Sequence, residues 1–460
     1  MSFATLVQNQ RAFFLSGATR PAEFRKARLR QLAEALAARE PALLAGLQAD
    51  LHKSAYQAYA TELGLVCEEI RHALALLDRW MKPERRSVPW LAWPARGFIQ
   101  AEPYGVALII GPWNYPLQLL LLPLVGALAA GNCAVLKPSE FAPHTAAALA
   151  DLIKAVFPAE YVAVVQGEAA DAEALLGEKF DTIFFTGGER VGRLVMAAAA
   201  RQLTPVTLEL GGKSPCLVCA DAPAELTARR IAWGKFMNAG QTCVAPDFVL
   251  VDRRACPSLV AALRKAVREF YGEDPRQSPD YGRIINARHF ARLTGYLRDG
   301  RVAHGGQHDE ATRYLAPTIL TEVSPDARVM QEEIFGPILP VIEFDTLDEA
   351  LGRLRARPTP LALYLFTRDR AAQERVLAET RSGGVCVNDT MLHMVGSHLP
   401  FGGLGESGLG SCHGRASFDC FSHRRSVLRR PLALDVNLRY PPPKLSLASL
   451  KRAYRFLLGG

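Results

Sequence analysis

Apolar residues follow two periods along the chain, and each period predicts one kind of element. Residues 21–81 repeat Leu and Ala at helical spacing and carry charged residues on the other face, which predicts helices. From Gly105 to about residue 210, short continuous apolar runs such as GVALII and CAVLK alternate with segments of helical period. Strands that are apolar on both faces are typical of a parallel sheet covered by helices on both sides. The pattern therefore predicts an α/β fold.

The alternation begins again after residue 210, with a helix predicted over LTARRIAWGKFMNAG and strands in GPILPVIEFD, LALYLFT and GGVCVND. We interpret this part as a second α/β domain. Residues 81–101 break the pattern with prolines and with Trp90, Trp93 and Phe98, which predicts an extended arm too apolar to be a free connector. The later stretch GRASFDCFSHRRSVL is predicted to be strand-like and able to pair with a partner's sheet. We therefore expect a homodimer.

The composition is that of a soluble globular protein, with 49% hydrophobic and 22% charged residues. The longest apolar run, Leu117 to Ala130, contains Pro123 and is shorter than the ~20 residues that span a bilayer. The N-terminal residues lack the apolar core of a signal peptide. Nine cysteines without paired spacing favour a reducing, cytoplasmic setting. One Cys-x-x-Cys, Cys216 to Cys219, falls in a predicted strand and has no second pair, so we expect no metal site.

The positive charge is confined to the end of the chain. Nine Lys or Arg and one acid follow His423, which accounts for the whole net charge of +8 and leaves the preceding body neutral. A neutral body argues against nucleic-acid binding. The segment after PPP predicts an amphipathic helix, with one apolar face and one basic face. The apolar face contains Leu447, Leu450, Tyr454, Leu457 and Leu458, and the basic face contains Lys444, Lys451, Arg452 and Arg455.

Two interpretations of this tail stay open. The helix can dock on the protein body with its charges in water. Alternatively, residues 444–460 can make a weak peripheral contact with anionic lipid, to which each basic residue near the surface contributes about 1 kcal/mol.

Three residues could carry chemistry on a carbonyl. Cys243 lies in the polar turn NAGQTCVAPD. A cysteine of the hydrophobic core would not need such polar neighbours, and a thiolate in this turn can act as a nucleophile. Its attack would create an oxyanion, which neutral donors such as the Asn114 amide and the Cys243 backbone N–H can stabilise. Glu209 ends an apolar strand, where a carboxylate is either a paired structural group or a base that activates water. A nicotinamide would take the hydride.

Seven motifs occur in order between residues 105 and 410: GPWNYP, LKPSE, FTGG, LELGGKSP, GQTCVAPD, QEEIFGPILP and LPFGGLGESGLG. Together they resemble the NAD(P)-dependent aldehyde dehydrogenase superfamily, and the arm and the C-terminal ending look like its class 3 branch. The resemblance implies a Rossmann-like cofactor domain over 1–80 and 102–210 and a catalytic domain over 211–410. It also implies a small β oligomerisation arm over 81–101 and 411–430, followed by the basic tail 431–460.

The resemblance implies that Cys243 forms a thiohemiacetal and then a thioester, that Asn114 donates to the oxyanion, and that Glu209 is the base for hydrolysis. NAD is the implied cofactor, and NADP use is also compatible. The implied cofactor-binding residues are Trp113, Lys137, Glu140, Gly187, Gly192, Glu333 and Phe335. Because the Glu140 carboxylate would bind ribose hydroxyls and repel a 2′-phosphate, we expect NAD to be preferred. The GGERVG turn that contains the two glycines is by itself a weak phosphate-binding signal.

A small-molecule aldehyde is the implied substrate, and an apolar funnel for it is predicted from Tyr115, Leu119, Trp233, Met237 and Phe401. Two positions depart from the class 3 pattern: Ala239 stands where Cys is common, and Cys412 where Tyr is common. We expect neither to touch a catalytic group. The neighbouring His413 has a structural and a functional interpretation.

Two other functions are weighed against hydrolytic aldehyde oxidation. A CoA-acylating dehydrogenase would pass the acyl group to CoA, and the presence of Glu209 argues for water instead. A binding protein on an inactive scaffold would have lost Cys243, Asn114 or Glu209, and the chain has all three.

Overall fold

The architecture was analysed in a computed structural model that describes residues 2–89, 92–435 and 439–458. The chain divides into two compact units. The first runs to Met81 and resumes over Glu102–His423, and the second comprises Lys82–Ala101 and the residues from Arg424 onwards.

The elements follow in chain order. The helices are α1 (Phe3–Leu15), α2 (Ala22–Leu51), α3 (Ala55–Ala58), α4 (Gly64–Met81), α5 (Gln118–Ala130), α6 (Pro143–Val156), α7 (Ala169–Gly177), α8 (Glu189–Ala200), α9 (Ala224–Phe236), α10 (Cys256–Tyr271), α11 (Ala287–Gly295), α12 (Arg328–Gln331), α13 (Leu347–Arg355), α14 (Arg370–Glu379), α15 (Arg415–Cys420) and α16 (Leu447–Leu458). The strands are β1 (Glu84–Arg86), β2 (Arg96–Pro103), β3 (Val106–Ile110), β4 (Cys133–Lys137), β5 (Val162–Val164), β6 (Thr182–Thr186), β7 (Val206–Glu209), β8 (Pro215–Val218), β9 (Phe248–Asp252), β10 (Arg301–His304), β11 (His308–Asp309), β12 (Tyr314–Leu315), β13 (Thr318–Thr321), β14 (Ile338–Phe344), β15 (Ala362–Phe366), β16 (Gly384–Val387), β17 (Gly408–Leu409) and β18 (Ser422–Arg429).

Two large sheets lie in the first unit. The first has the order β17-β7-β6-β3-β4-β5 and is parallel except for β17, which pairs antiparallel to β7. The second has the order β10-β13-β14-β9-β8-β15-β16 and is parallel except at β10. Their central strands are buried on both faces, as the continuous apolar runs predict. The predicted α/β fold is confirmed, and both sheets lie in one compact unit. The division into a cofactor domain and a catalytic domain stays a prediction.

The apolar run after residue 117 forms α5, which is buried almost all round. Its neighbours approach closely where it lacks side chains: a Cβ on Gly126 would lie 2.7 Å from the Ser417 Cβ of α15. Because almost no part of α5 is exposed to solvent, the helix does not need a polar face. In the described residues, no helix is both long and apolar enough to cross a membrane.

The stretch GRASFDCFSHRRSVL is only partly extended, so its prediction as strand throughout is wrong. Its first part forms α15, and only Ser422–Arg429 forms a strand. The reason is tertiary: Phe418 is buried, Ser417 packs on α5, and Gly414 starts the helix from a backbone with φ +54°. This short helix is held by the hydrophobic core and not by its own periodicity.

The second unit contains a three-stranded sheet in the order β1-β2-β18. The Arg424 guanidinium of β18 binds the Glu84 carboxylate of β1 at 2.8 Å, and the Arg429 guanidinium lies over the Phe98 ring of β2. Trp93 is exposed, and the predicted arm residue Trp90 lies outside the described residues.

The tail forms α16 as predicted, with the apolar Leu447, Leu450 and Tyr454 all exposed. The basic residues Lys444, Lys451, Arg452 and Arg455 are exposed as well. The side chains of Leu457 and Leu458 lie outside the described residues. Docking of this helix on protein or on lipid stays a prediction.

Candidate active site

Asn114 lies in the loop that joins β3 to α5, and its side chain is buried. The Asn114 Nδ2 donates a hydrogen bond to the backbone carbonyl of Gln241 at 3.0 Å. The Asn114 backbone carbonyl accepts one from the Asn238 Nδ2 at 2.9 Å. Gln241 accepts only one of the two amide N–H groups, and among the described residues the Asn114 Oδ1 has no partner. Among the described residues, the side-chain amide of Asn114 is therefore held through Nδ2 only.

The turn that precedes Cys243 has an unusual backbone. Asn238 and Ala239 both have left-handed φ angles, 53° and 51°, within the 3₁₀ segment Met237–Gly240. The Gln241 side chain holds the turn from inside, because its Nε2 donates to the Asn238 and Arg283 carbonyls and its Oε1 accepts from the Ile285 N–H. The nucleophile candidate therefore follows a turn with a fixed shape.

Cys243 is half-buried at the end of this turn. Burial is the main reason that the pKa of its thiol is raised to about 12, and the nearby carboxyls Glu333 and Glu209 raise it further. The backbone N–H groups of Cys243 and Val244 act in the opposite direction, since they stabilise the thiolate. The thiol is thus protonated at neutral pH, although the Cys243 and Val244 N–H groups favour its thiolate form.

Glu209 is the last residue of β7 and is buried. Burial raises the pKa of its carboxyl well above the ordinary value, and the Cys412 thiol, whose Sγ lies 3.8 Å from Oε1, partly opposes the shift. The other oxygen, Oε2, has no hydrogen-bond partner among the described residues. The expectation that Cys412 touches no proposed catalytic group is therefore wrong.

Glu333 lies against the glycines of the LELGGKSP motif. A Cβ on Gly211 would lie 2.5 Å from the Glu333 carboxylate, and the Gly212 N–H donates to that carboxylate. Burial and the nearby Asp247 raise the pKa of Glu333 to about 8, and Lys213 opposes the shift. Lys213 also binds Asp247 and the Glu332 carbonyl, so it fixes the segment that carries Glu333.

The aromatic residues assigned to the cofactor meet. The Trp113 and Phe335 rings lie edge to face at 5.3 Å, and Trp113 also lies 5.4 Å from the His289 ring. Phe335 has a left-handed backbone with φ 49°, which turns its side chain at the end of the EEIF segment. Residues that are 222 positions apart in the sequence thus share one aromatic contact.

The remaining cofactor candidates lie at the ends of β4 and β6. The Lys137 Nζ donates to the carbonyls of Pro138 and Gly167, whereas Glu140 is exposed. Gly187 follows β6, and its N–H donates to the Glu209 carbonyl. Gly192 is buried inside α8, where a Cβ would lie 2.7 Å from Leu210, so its small size permits close packing of the helix on the sheet.

The substrate-pocket candidates have different surroundings. The Tyr115 hydroxyl hydrogen-bonds to the Thr242 hydroxyl at 2.8 Å, beside Cys243. Phe401 pairs through its backbone with Cys412 and stacks on the His413 ring at 5.3 Å. Trp233 is 39% exposed on α9, and Met237 and Leu119 are half-buried. The funnel that would join all five side chains stays a prediction.

His413 has the surroundings of a structural residue. Burial lowers the pKa of its imidazole to about 4, so the ring is neutral at physiological pH. Its backbone N–H is bound by Ser417, and the neighbouring Gly414 N–H by the buried carboxylate of Glu69.

The sequence analysis missed a buried ion pair behind Asn114. The Lys53 Nζ lies 2.5 Å from the Glu62 Oε1, and both side chains are fully buried. Lys53 lies between two helices and Glu62 in the π-helical turn Tyr59–Leu63, so no helical spacing relates them. Periodicity does not reveal the π-helical turn that carries Glu62, so the sequence pattern gave no signal for this pair.

Comparisons with known proteins agree on one family. A sequence model of the aldehyde dehydrogenase family matches residues 4–427. The chain is 50% identical over 442 residues to aldehyde dehydrogenase family 3 member B1 of Bos taurus, and the match covers 96% of this chain and 94% of that protein. It is 47% identical over 449 residues to a Canis lupus familiaris protein named aldehyde dehydrogenase, dimeric NADP-preferring, with 97% and 98% covered. A solved structure of Staphylococcus aureus AldH in a substrate-bound state has a TM-score of 0.97 and 43% identity, covering 99% of this chain and 100% of that chain.

Alkylation of Cys243 should report its electrostatic surroundings. In the cofactor-free protein, iodoacetamide should react slowly at neutral pH and faster as pH rises, because only the thiolate reacts and the pKa of this thiol is raised to about 12. Glu333→Gln should speed the reaction at about pH 9, where Glu333 is ionised, because removing its negative charge lowers the thiol pKa. Mass spectrometry of the Cys243 peptide gives the rate, and Glu374→Gln on α14 is the matched control. Fast, pH-independent alkylation near neutral pH would contradict the assignment.

Proposed function

Because the chain belongs to the aldehyde dehydrogenase family and is an NAD(P)-dependent aldehyde dehydrogenase, we propose that Cys243, Asn114 and Glu209 carry out its reaction. Overall, an aldehyde, NAD(P)⁺ and water become a carboxylic acid, NAD(P)H and a proton. The observation that carries this proposal is the contact of the Asn114 amide with the Gln241 carbonyl, two residues before Cys243.

The residues present fit a dinucleotide. The Trp113 and Phe335 rings offer an aromatic contact for the nicotinamide, and the Glu333 carboxylate beside Gly211 can accept hydrogen bonds from its ribose. The exposed Gly188 precedes α8, so the N-terminus of this helix is open to a pyrophosphate. Lys137 and Glu140 would hold the adenosine ribose. When bound, NAD(P)⁺ accepts the hydride that leaves the former aldehyde carbon.

Cys243 attacks the aldehyde carbon in the first step. The S–C bond forms, the carbonyl π bond opens and the thiol proton is lost, so negative charge develops on the oxygen. The unused N–H of Asn114 and the Cys243 backbone N–H donate to that oxygen. Because Asn114 carries no charge, its amide stabilises the oxyanion without holding the thiohemiacetal too tightly to react further.

Glu209 acts in the last step. Loss of hydride leaves a thioester on Cys243, and water must attack its carbonyl carbon. Glu209 can take a proton from that water through the unpartnered Oε2, and its raised pKa makes it a stronger base than an exposed carboxylate. The C–S bond then breaks and the carboxylic acid leaves, and the proton that Glu209 took from water passes to the cysteine sulfur, which restores the thiol and the carboxylate.

The cofactor preference follows from Glu140. Its exposed carboxylate would accept from ribose hydroxyls and repel a 2′-phosphate, and Lys137 cannot offset this freely because its Nζ already donates to two carbonyls. We therefore assign NAD as the preferred cofactor, although the Canis lupus familiaris relative is named NADP-preferring.

The chain is also proposed to form a homodimer, as the name of the same relative describes that protein. In the described residues, β1 and β18 are the edges of the three-stranded sheet, and an open edge offers backbone groups to another strand. The exposed Leu428 of β18 adds apolar surface there.

Two variants test the catalytic assignment. Glu209→Gln should release about one equivalent of NADH per active site in a burst and then turn over roughly a hundredfold more slowly than the wild type, because only deacylation needs the base. Cys243→Ala should show neither burst nor turnover and still bind NAD. Stopped-flow absorbance of NADH measures both phases. An unchanged steady-state rate in Glu209→Gln, or turnover in Cys243→Ala, would refute the roles given to these residues.

Cofactor choice tests Glu140. Glu140→Gln should raise the ratio of kcat/KM for NADP to that for NAD by about fivefold at low salt, and less at high salt, since exposed charge interactions are weak and screened. Steady-state kinetics with both cofactors give the ratio, and Glu374→Gln controls for the change in net charge. An unchanged ratio of kcat/KM for NADP to that for NAD would mean that Glu140 does not lie beside the 2′-phosphate of the cofactor.

Light scattering at micromolar concentration tests the oligomer. The wild type should have the mass of a dimer, and Leu428→Asp should shift it towards monomer, because a charge on the paired edge must be desolvated. Leu432→Asp changes a fully exposed leucine just beyond the strand and should leave the mass unchanged. A monomeric wild type would rule out the dimer.

A further inference from the structure

A fully buried ion pair, Lys53 with Glu62, lies behind the Asn114 corner. Lys53 and Glu62 are both inaccessible to solvent. Moving two charges out of water is costly, and a buried pair recovers this cost only with complete hydrogen bonding. An apolar pair of similar size is often as stable. A buried pair of charges therefore suggests a functional role, and the contacts of Lys53 and Glu62 with residues 114–118 indicate which role it is.

Lys53 contacts the loop between β3 and α5 that carries Asn114. Its Nζ donates to the Asn114 backbone carbonyl at 2.9 Å, in addition to its ion pair with Glu62. It also lies 3.9 Å from the centre of the Tyr115 ring, a cation–π contact. The Lys53 ammonium group thus contacts the Glu62 carboxylate, the Asn114 carbonyl and the Tyr115 ring.

Glu62 holds the other end of the same corner. Its Oε2 accepts from the backbone N–H groups of Leu117 at 2.9 Å and Gln118 at 3.2 Å. These are the first N–H groups of α5, and Leu117 offers no side-chain cap of its own. A carboxylate at this position replaces the missing cap and interacts favourably with the helix dipole. Both oxygens of Glu62 are therefore occupied by contacts that locate residues 114–118.

The opposite side of Asn114 is fixed by the turn before Cys243. The Asn238 Nδ2 donates to the Asn114 carbonyl, the same atom that Lys53 binds. Tyr115, whose ring contacts Lys53, hydrogen-bonds through its hydroxyl to the Thr242 hydroxyl. The ion pair thus fixes the Asn114 backbone, while the Gln241 carbonyl fixes the amide.

We propose that Lys53 and Glu62 are positioning residues, which hold the Asn114 amide where the oxyanion forms. The inference rests on the proposed role of Asn114 as an oxyanion donor. A misplacement of about 1 Å at a catalytic group can reduce a rate a hundredfold, so a clamp on the backbone has a measurable effect.

The test variant is Lys53→Met/Glu62→Gln. Both charges are removed together, because a single change would strand the other charge in the core and unfold the chain for an unrelated reason. We expect the rate of NADH formation in the first turnover, called the burst rate below, to fall roughly ten- to a hundredfold, with unchanged KM for NAD, since Asn114 acts on the transition state. Hydrogen exchange of residues 113–118 should become faster.

Asp50→Asn is the matched control. The buried Asp50 carboxylate caps the start of α6 as Glu62 caps α5, accepting from the His144 and Thr145 N–H groups at 3.2 and 2.8 Å. Its loss should lower the melting temperature in the same way but leave the burst rate unchanged. A comparable fall in the burst rate would mean that any weakened cap slows the enzyme.

A double-mutant cycle with Asn114→Ala separates positioning from general support. Asn114→Ala alone should lower the burst rate roughly ten- to a thousandfold. If the ion pair acts through Asn114, adding Lys53→Met/Glu62→Gln to Asn114→Ala should lower the rate less than about twofold further.

Two results would overturn the inference: an equal fall in the wild-type and Asn114→Ala backgrounds, or a normal burst rate in a folded pair variant. A normal burst rate in Asn114→Ala itself would instead refute the proposed oxyanion role, and the positioning role with it.

Discussion

The site depends on one contact between two loops that are far apart in the sequence. The Asn114 amide follows a strand of the first sheet, and the Gln241 carbonyl precedes the nucleophile in the loop before β9 of the second sheet. A donor to an oxyanion must be in place before charge develops, because a group that reorients during the reaction recovers less of its interaction energy. A single neutral hydrogen bond of 3.0 Å is a weak link by itself. The turn 238–241 on one side, and Lys53 with Glu62 on the other, make it rigid.

Electrostatics at Cys243 reflect two opposed requirements. In the proposed mechanism Glu209 activates water and Glu333 accepts hydrogen bonds from a ribose, but burial and the charges of both carboxylates raise the pKa of the Cys243 thiol. Both carboxylates therefore oppose ionisation of the thiol that the proposed mechanism uses. The backbone N–H groups of Cys243 and Val244 offset part of this effect without adding a charge that would bind the product.

Small residues set the distances around the site. Gly211 allows the Glu333 carboxylate to lie directly on the backbone, and Gly192 allows α8 to pack on Leu210. Cys412 brings a thiol to the Glu209 carboxylate. Among the described residues, the Glu209 carboxylate thus has one weak donor on Oε1 and no partner on Oε2.

The sequence by itself determined the α/β class and those strands of the two sheets that are continuous apolar runs, because apolar runs and helical periods are local properties. Its motifs also singled out Cys243, Asn114 and Glu209 as candidates, since rare residue types in turns stand out without any knowledge of packing. Only the tertiary structure decided which groups meet. The Cys412 contact with Glu209 and the helical form of Arg415–Cys420 depend on segments that are far apart in the sequence. Lys53 and Glu62 are close in the sequence, but they are buried as a pair because both contact the distant residues 114–118. No local pattern encodes such contacts, because burial and hydrogen bonding are properties of the packed chain and not of its neighbouring residues.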